Sequence, residues 1–419
     1  MSVAQTQTVT LQGEPQLASK DNVISLKPTS NLADPAKCPS LGDLKRAIPA
    51  HCFQPKVSIS MAYLARDIVM VAALVYGALQ IHHVESFAAR TALWILYGFA
   101  QGCICTGLWI LAHECGHGAF SRHQRLNDVV GWFCHSAIGV PYFSWKISHA
   151  RHHRFTGHIE KDLVFVPRTI DEIAGRLGIS IKALEELTED TPIVTTFKLL
   201  FHQLLGWQTY LLFNVSAGHK SRVRDNDKKG WFTERGSHFD PWSVLFLPQQ
   251  AHLIIISDIG LALTGYVLYQ AAQVLDWQTV ALLWVVPYVW VHHWLIAITY
   301  LHHTHPEVPH YGEDTWNFTV GNLCTIDRDF GFIGTHLFHG IIDTHVVHHL
   351  FPRIPFYYAD EATAAIRPML GEFYNEDKKT NFLSSLWTTF RTCRWVREEQ
   401  TAPAPQTFHW VKPTTKATN

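Results

Sequence analysis

The chain has 419 residues, and its 34 Lys and Arg against 35 Asp and Glu give a formal net charge of −1. That leaves no basic excess to neutralise phosphates, which argues against a nucleic-acid binder. Hydrophobic residues at 47% exclude a disordered chain, and eight scattered cysteines with no Cys-x-x-Cys pair argue against a disulfide framework or a cysteine zinc site.

Residues 1–40 are rich in Thr, Gln, Ser and Pro, with no apolar period and no basic start leading into an apolar run. No cleaved signal is expected there, and residues 1–47 are read as a disordered cytosolic tail. Four apolar stretches follow: Ile68–Ile81, Thr91–Ala112, Leu253–Ala272 and Gln278–Tyr300. A membrane helix needs about 20 apolar residues. The last three qualify outright, and the first does once Tyr63, Leu64 and His82 are drawn in. Their arrangement as two close pairs predicts two helical hairpins.

Charge sets the orientation. The two short return loops contain one Lys or Arg, Arg90, and the other 33 of 34 lie in the tails and the long central segment. Basic residues mark the cytoplasmic side, so both termini and the central segment are expected in the cytosol. Within that segment, Val129–Ile147 is apolar but interrupted by Gly131, Gly139 and Pro141, and reads as re-entrant or lying on the membrane surface. Lys198–Ala217 reads as an interfacial helix.

The 27 histidines carry the chemistry. His113 and His117 stand at i and i+4 at the end of the second apolar stretch. His149, His152 and His153 repeat the spacing i, i+3, i+4, as do His345, His348 and His349. On a helix each set shares one face. A fourth group, His302, His303 and His305, follows the last apolar stretch. All fall on the cytosolic side of the predicted topology. Eight box histidines and one more near His305 suit two metals with four or five imidazoles each. Breaking an unactivated C–H bond with dioxygen calls for redox metal of this kind.

Three rival readings use parts of the pattern. His113–His117 matches the H-E-x-x-H helix of a zinc protease, with Glu114 as base, but leaves two boxes unexplained. Glu114–His117 and Glu307–His310 match the Glu-x-x-His of a di-iron carboxylate bundle, but Pro306 and Pro309 spoil the second copy as a helix. A metal transporter would need polar pairs in mid-membrane, for which Asp258, His292 and His293 are the candidates.

The words HECGHGAF (113–120), HARHHRFTGHIEKDLVFVP (149–167), HHTHPEVPHY (302–311) and DTHVVHHLFPRIP (343–355) together resemble the membrane fatty-acid desaturases, in particular the Δ12 and ω-3 group. The likeness runs from about residue 48 to 373. It implies an all-α integral membrane protein, with four transmembrane helices in two hairpins and a cytosolic helical cap carrying a histidine-ligated di-iron site. The desaturase domain would span 48–395 and a C-terminal tail 396–419. The resemblance further implies two non-haem iron ions, O2 as co-substrate, cytochrome b5 as electron donor, a phospholipid-linked oleoyl chain as substrate and an endoplasmic-reticulum location. The Δ12 reaction, oleoyl to linoleoyl, is the expected activity, with ω-3 or bifunctional Δ12/ω-3 desaturation, or hydroxylation, as the alternatives. The ligands carried over are His113, His117, His149, His152, His153, His345, His348 and His349. As the ninth, the place beside Pro306 favours His305 over His302. Glu114, Asp162 and Asp343 are candidates to orient ligand imidazoles.

Overall fold

The computed structural model describes residues 34–187, 191–224, 236–400 and 402–412. Residues 1–33 of the expected tail lie outside them. Helix α1 (Leu41–Ala47) falls within the span read as tail. Ser40 caps it by accepting from Asp43 N, and Lys45 and Arg46 complement its last turn. Its Leu44 is fully buried in a core that includes Val346, Ile354 and Ile366.

Four helices are long and apolar enough to cross a membrane: Val57–His83, Phe87–His117, Pro248–Leu275 and Trp277–His303. The first begins 11 residues before Ile68, as helix α2 (Val57–Ala78). Asp67 therefore lies inside it, where a lone carboxylate would be costly. It is nearly inaccessible, and it is paired with Arg66 at 2.7 Å and with His339 Nε2 at 2.9 Å. Helix α3 (Phe87–His117) starts at the Ser86 cap and ends at Gly118, whose φ of 73° stops it.

Helices α4 (Gln124–Ala137) and α5 (Tyr142–Phe155) make the Val129–Ile147 stretch a pair of helices. The turn between them at Gly139 has φ +72°, and a Cβ there would meet Tyr288 Cε2 at 2.6 Å. Only glycine allows that approach. The short helices α6 (Ile170–Leu177) and α7 (Ile181–Leu187) follow. Helix α8 (Pro192–Phe213) covers the predicted interfacial segment and exposes Phe197, Leu200, Phe201 and Leu204. Helix α9 (Ala251–Leu275) packs on α4 and α5.

Helix α10 (Trp277–His303) packs along α3 and α8. Pro287 cannot donate to Leu283 O. The helix widens into a π turn over Ala281–Val285, and Tyr97 Oη donates to that freed carbonyl at 2.9 Å. The contact with α3 is made through Gly98 and Gly102, where a Cβ would meet Val286 Cγ1 at 2.5 Å and Trp290 Cβ at 2.3 Å. This is small-residue packing of the kind that brings membrane helices together.

The remaining chain forms α11 (Phe318–Asn322), α12 (His345–Leu350), α13 (Phe356–Leu370) and α14 (Phe382–Thr392). Short strands stitch it together. β1 (His310–Tyr311) pairs with β5 (Thr407–Trp410), which pairs with β4 (Val396–Glu398), both antiparallel. β2 (Asp327–Arg328) runs parallel to β3 (Glu376–Asp377). Residues 396–410, read as part of a tail, thus include two strands of a sheet.

Candidate metal centre

The ends of α3 and α10 meet at one end of the bundle, with α5 and α12 packed across them. Five ligand atoms, from His113, His117, His149, His153 and His348, lie within 4.8 Å of one another. A second group, His152, His303 and His349, meets the same limit. His345 adjoins it, with Nε2 3.1 Å from His303 Nε2. His152 and His153 therefore fall in different clusters, as do His348 and His349. Their rings are about 100° apart on the helix, and His153 stacks on His349 with centroids 4.0 Å apart.

The facing atoms are Nε2 on Nε2: His113–His117 at 3.3 Å, His149–His153 at 3.1 Å and His152–His303 at 3.3 Å. His348 Nε2 and His349 Nε2 are buried with no hydrogen-bond partner. Burial, reinforced by neighbouring rings, holds His149, His153, His345, His348 and His349 well below the ordinary imidazole range. Neutral rings with lone pairs converging on one point suit a divalent transition metal, which would satisfy the orphaned nitrogens together.

The other ring nitrogens are held by the scaffold. Asp162 Oδ1 lies 2.6 Å from His152 Nδ1, and the same carboxylate accepts from Leu163 N at 2.6 Å and Gly157 N at 3.0 Å. This fixes the His152 tautomer with Nε2 free to bind. His349 Nδ1 is 3.2 Å from both Asn322 Oδ1 and Thr156 Oγ1. Asn322 lies outside the motifs and Thr156 within the second of them, and neither was anticipated from sequence as a support for a ligand. Asp327 Oδ1 accepts from Val346 N at 2.8 Å and anchors the start of α12. Of the three anticipated carboxylates, only Asp162 hydrogen-bonds a box histidine. Glu114 lies 3.8 Å from His113 Nδ1 and accepts from Phe356 N at 3.0 Å. Asp343 Oδ2 is buried without a partner.

His305 is not brought into either cluster, and its Nδ1 accepts from Glu307 N at 3.3 Å. His303 instead lies with His152 and His349 in the second cluster. The reason is helical register: α10 continues through His303 and ends there, so His305 lies beyond the ordered face. His302 is turned away, its two nitrogens facing the Ile298 and Ile342 carbonyls at 2.6 and 3.0 Å. His158 likewise lies outside, 3.2 Å from the Glu313 carboxylate.

The rival motifs find no support in this geometry. His113 and His117 share their cluster with three further histidines instead of forming an open two-histidine protease site. His310 lies on strand β1, so Glu307–His310 is not a helical Glu-x-x-His. His292 takes a hydrogen bond from Gln208 at 2.6 Å, and His293 packs on Trp290, Trp294 and Phe382.

The fatty acid desaturase profile matches residues 88–380, which contain both clusters. The chain belongs to the fatty acid desaturase family. It is 45% identical over 368 residues to an oleate hydroxylase of Claviceps purpurea, covering 85% of this chain and 77% of that protein. It is 42% identical over 367 residues to a Δ(12) fatty acid desaturase of Mortierella alpina, covering 86% and 88%. It is also 40% identical over 373 residues to an oleoyl-12-hydroxylase of Ricinus communis, covering 89% and 90%. Membership makes this desaturase-family chain an oxidoreductase.

Proposed function

We propose that the protein is a Δ12 fatty-acid desaturase that converts oleoyl to linoleoyl chains. The observation that carries the reading is the convergence of the eight box histidines and His303 into two adjoining imidazole clusters. His113, His117, His149, His153 and His348 would hold one iron, and His152, His303, His345 and His349 the other. When bound, the iron pair supplies the redox chemistry that couples dioxygen to C–H cleavage. The reaction balances as one CH2–CH2 unit, O2, two electrons and two protons giving a cis CH=CH and two waters. The electrons come from cytochrome b5.

The chain's own groups prepare the site. Asp162 orients His152, and Asn322 and Thr156 orient His349. Trp109 stacks on His113 and Trp145 on His149, at 5.5 and 4.3 Å between centroids. Beside them Trp207, Leu211, Val291 and Leu295 form an apolar layer. That layer keeps water away and is compatible with an acyl chain. The substrate is an oleoyl chain esterified to a phospholipid, the location is the endoplasmic-reticulum membrane, and both termini face the cytosol.

The reading is tested by expression in a host that makes only monounsaturated chains. Linoleate formed from oleate is expected. The identity to two hydroxylases favours one alternative product, 12-hydroxyoleate, which would move the assignment to hydroxylation. A triene made from supplied linoleate, with oleate ignored, would move it to ω-3 desaturation.

A further inference from the structure

The back of α5 lines an open cavity of about 640 Å³. Ile147, Ala150, Arg151 and Arg154 face it at spacing i, i+3, i+4, i+7, whereas His149, His152 and His153 face the metal clusters. Every ionisable side chain lining it is basic: Lys146, Arg151, Arg154, Lys161, Lys220 and Arg222. The three lysines already have carboxylate partners, Lys146 with Asp128 at 2.6 Å, Lys161 with Glu313 at 2.5 Å and Lys220 with Glu160 at 2.7 Å. The three arginines have none among the described residues. Arg151 is tied only to backbone, at Ser221 O and Leu245 O. Burial lowers its pKa to about 10, so it stays charged at neutral pH.

Ile147, Phe155 and Leu247 give the cavity an apolar part. Leu247 and Gln250 also place it at the start of the span Pro248–Leu275, the level at which lipid phosphates lie. An arginine trio without carboxylate partners among the described residues, beside apolar surface and at a membrane boundary, matches a phosphate carried by an amphiphile.

We propose that this cavity binds the phosphate of the membrane phospholipid whose acyl chain is the substrate, with Arg151, Arg154 and Arg222 as the recognising groups. The inference rests on the lipid-modifying reading above. It adds that the headgroup sits one helix away from the metal ligands, about 10–12 Å across α5, and that the acyl chain rounds α5 to reach them.

The test is lipid retention by the full-length protein in mixed micelles, measured by native mass spectrometry. Wild type is compared with the double variant Arg154→Gln/Arg222→Gln. Retention of dioleoyl phosphatidylcholine should fall about tenfold, retention of dioleoylglycerol should change far less, and the Arg154→Lys/Arg222→Lys pair should recover most of the loss. Equal loss of both lipids, or no loss of either, overturns the proposal. So does displacement of the phospholipid by millimolar inorganic phosphate, or by oleoyl-CoA at lower concentration. A variant that keeps its phospholipid but loses reduction by cytochrome b5 would assign the cavity to the donor protein instead. Because retention is read without turnover, a host that makes no linoleate would refute the Δ12 reading and leave this measurement standing.

Discussion

Replacing His303 by Ala removes one of four imidazoles from the cluster it forms with His152, His345 and His349. Four-ligand structural zinc sites hold their metal with about 10–16 kcal/mol, or roughly 3 kcal/mol per ligand, which sets the scale for one imidazole here. The variant site should therefore bind iron roughly a hundredfold more weakly. No spare donor repairs the loss, since His302 faces two backbone carbonyls. His305→Ala is the control, as it removes a single hydrogen bond from Glu307 N, worth about 0.5–1.5 kcal/mol. The assay is iron per chain after dialysis against a chelator that buffers free iron about tenfold above the wild-type dissociation constant, with linoleate formation measured in parallel. Wild type and His305→Ala should keep two irons and activity, and His303→Ala should fall to one or fewer and make no linoleate. Two irons in His303→Ala, or loss of iron in His305→Ala, would refute the geometric assignment.

Asp162→Asn keeps the shape but leaves an NH2 facing either His152 or Gly157 N, both of which the carboxylate now serves. Metal affinity should drop 10–100-fold, the usual range for such supporting groups, read by the same chelator titration. Gly102→Ala sets a Cβ 2.3 Å from Trp290 Cβ, and overpacking of this kind costs about 1–3 kcal/mol. The thermal midpoint in micelles should fall by several degrees with iron content at the start unchanged. Tags at both termini should be digested by protease added to sealed microsomes, and protection of either tag would contradict the cytosolic placement of both ends.

The parts of this architecture that were legible in the sequence are those carried by local periodicity. Thr91–Ala112 and Leu253–Ala272 read as membrane helices because an uninterrupted apolar run of that length has few other uses. His149, His152 and His153 read as one helical face because the spacing alone puts them there. Asp162 was legible as a candidate, but its bond to His152 depends on the chain folding back over ten residues. His303 could not be separated from His305 without knowing where α10 stops, and a change of one residue in helical phase swings a side chain by about 100°. Asn322, Thr156 and Asp327 act through tertiary contacts that leave no spacing to read. The same holds for the last strands: Trp410 reaches Val396 and Phe408 reaches His310 only in the folded chain.

In the proposed two-iron site, the division of His152 from His153, and of His348 from His349, between the two clusters would tie the loading of one ion to that of the other. Filling either site would fix the rotation of α5 and α12 about their own axes, and so position the donors of its neighbour before the second ion arrives. That ordering would be shared, so the second ion would bind with less entropy left to lose, and by reciprocity each ion would raise the affinity for the other. Chains carrying a single ion should be scarce at equilibrium, and titration with iron should be sigmoidal, moving the population from empty to doubly loaded.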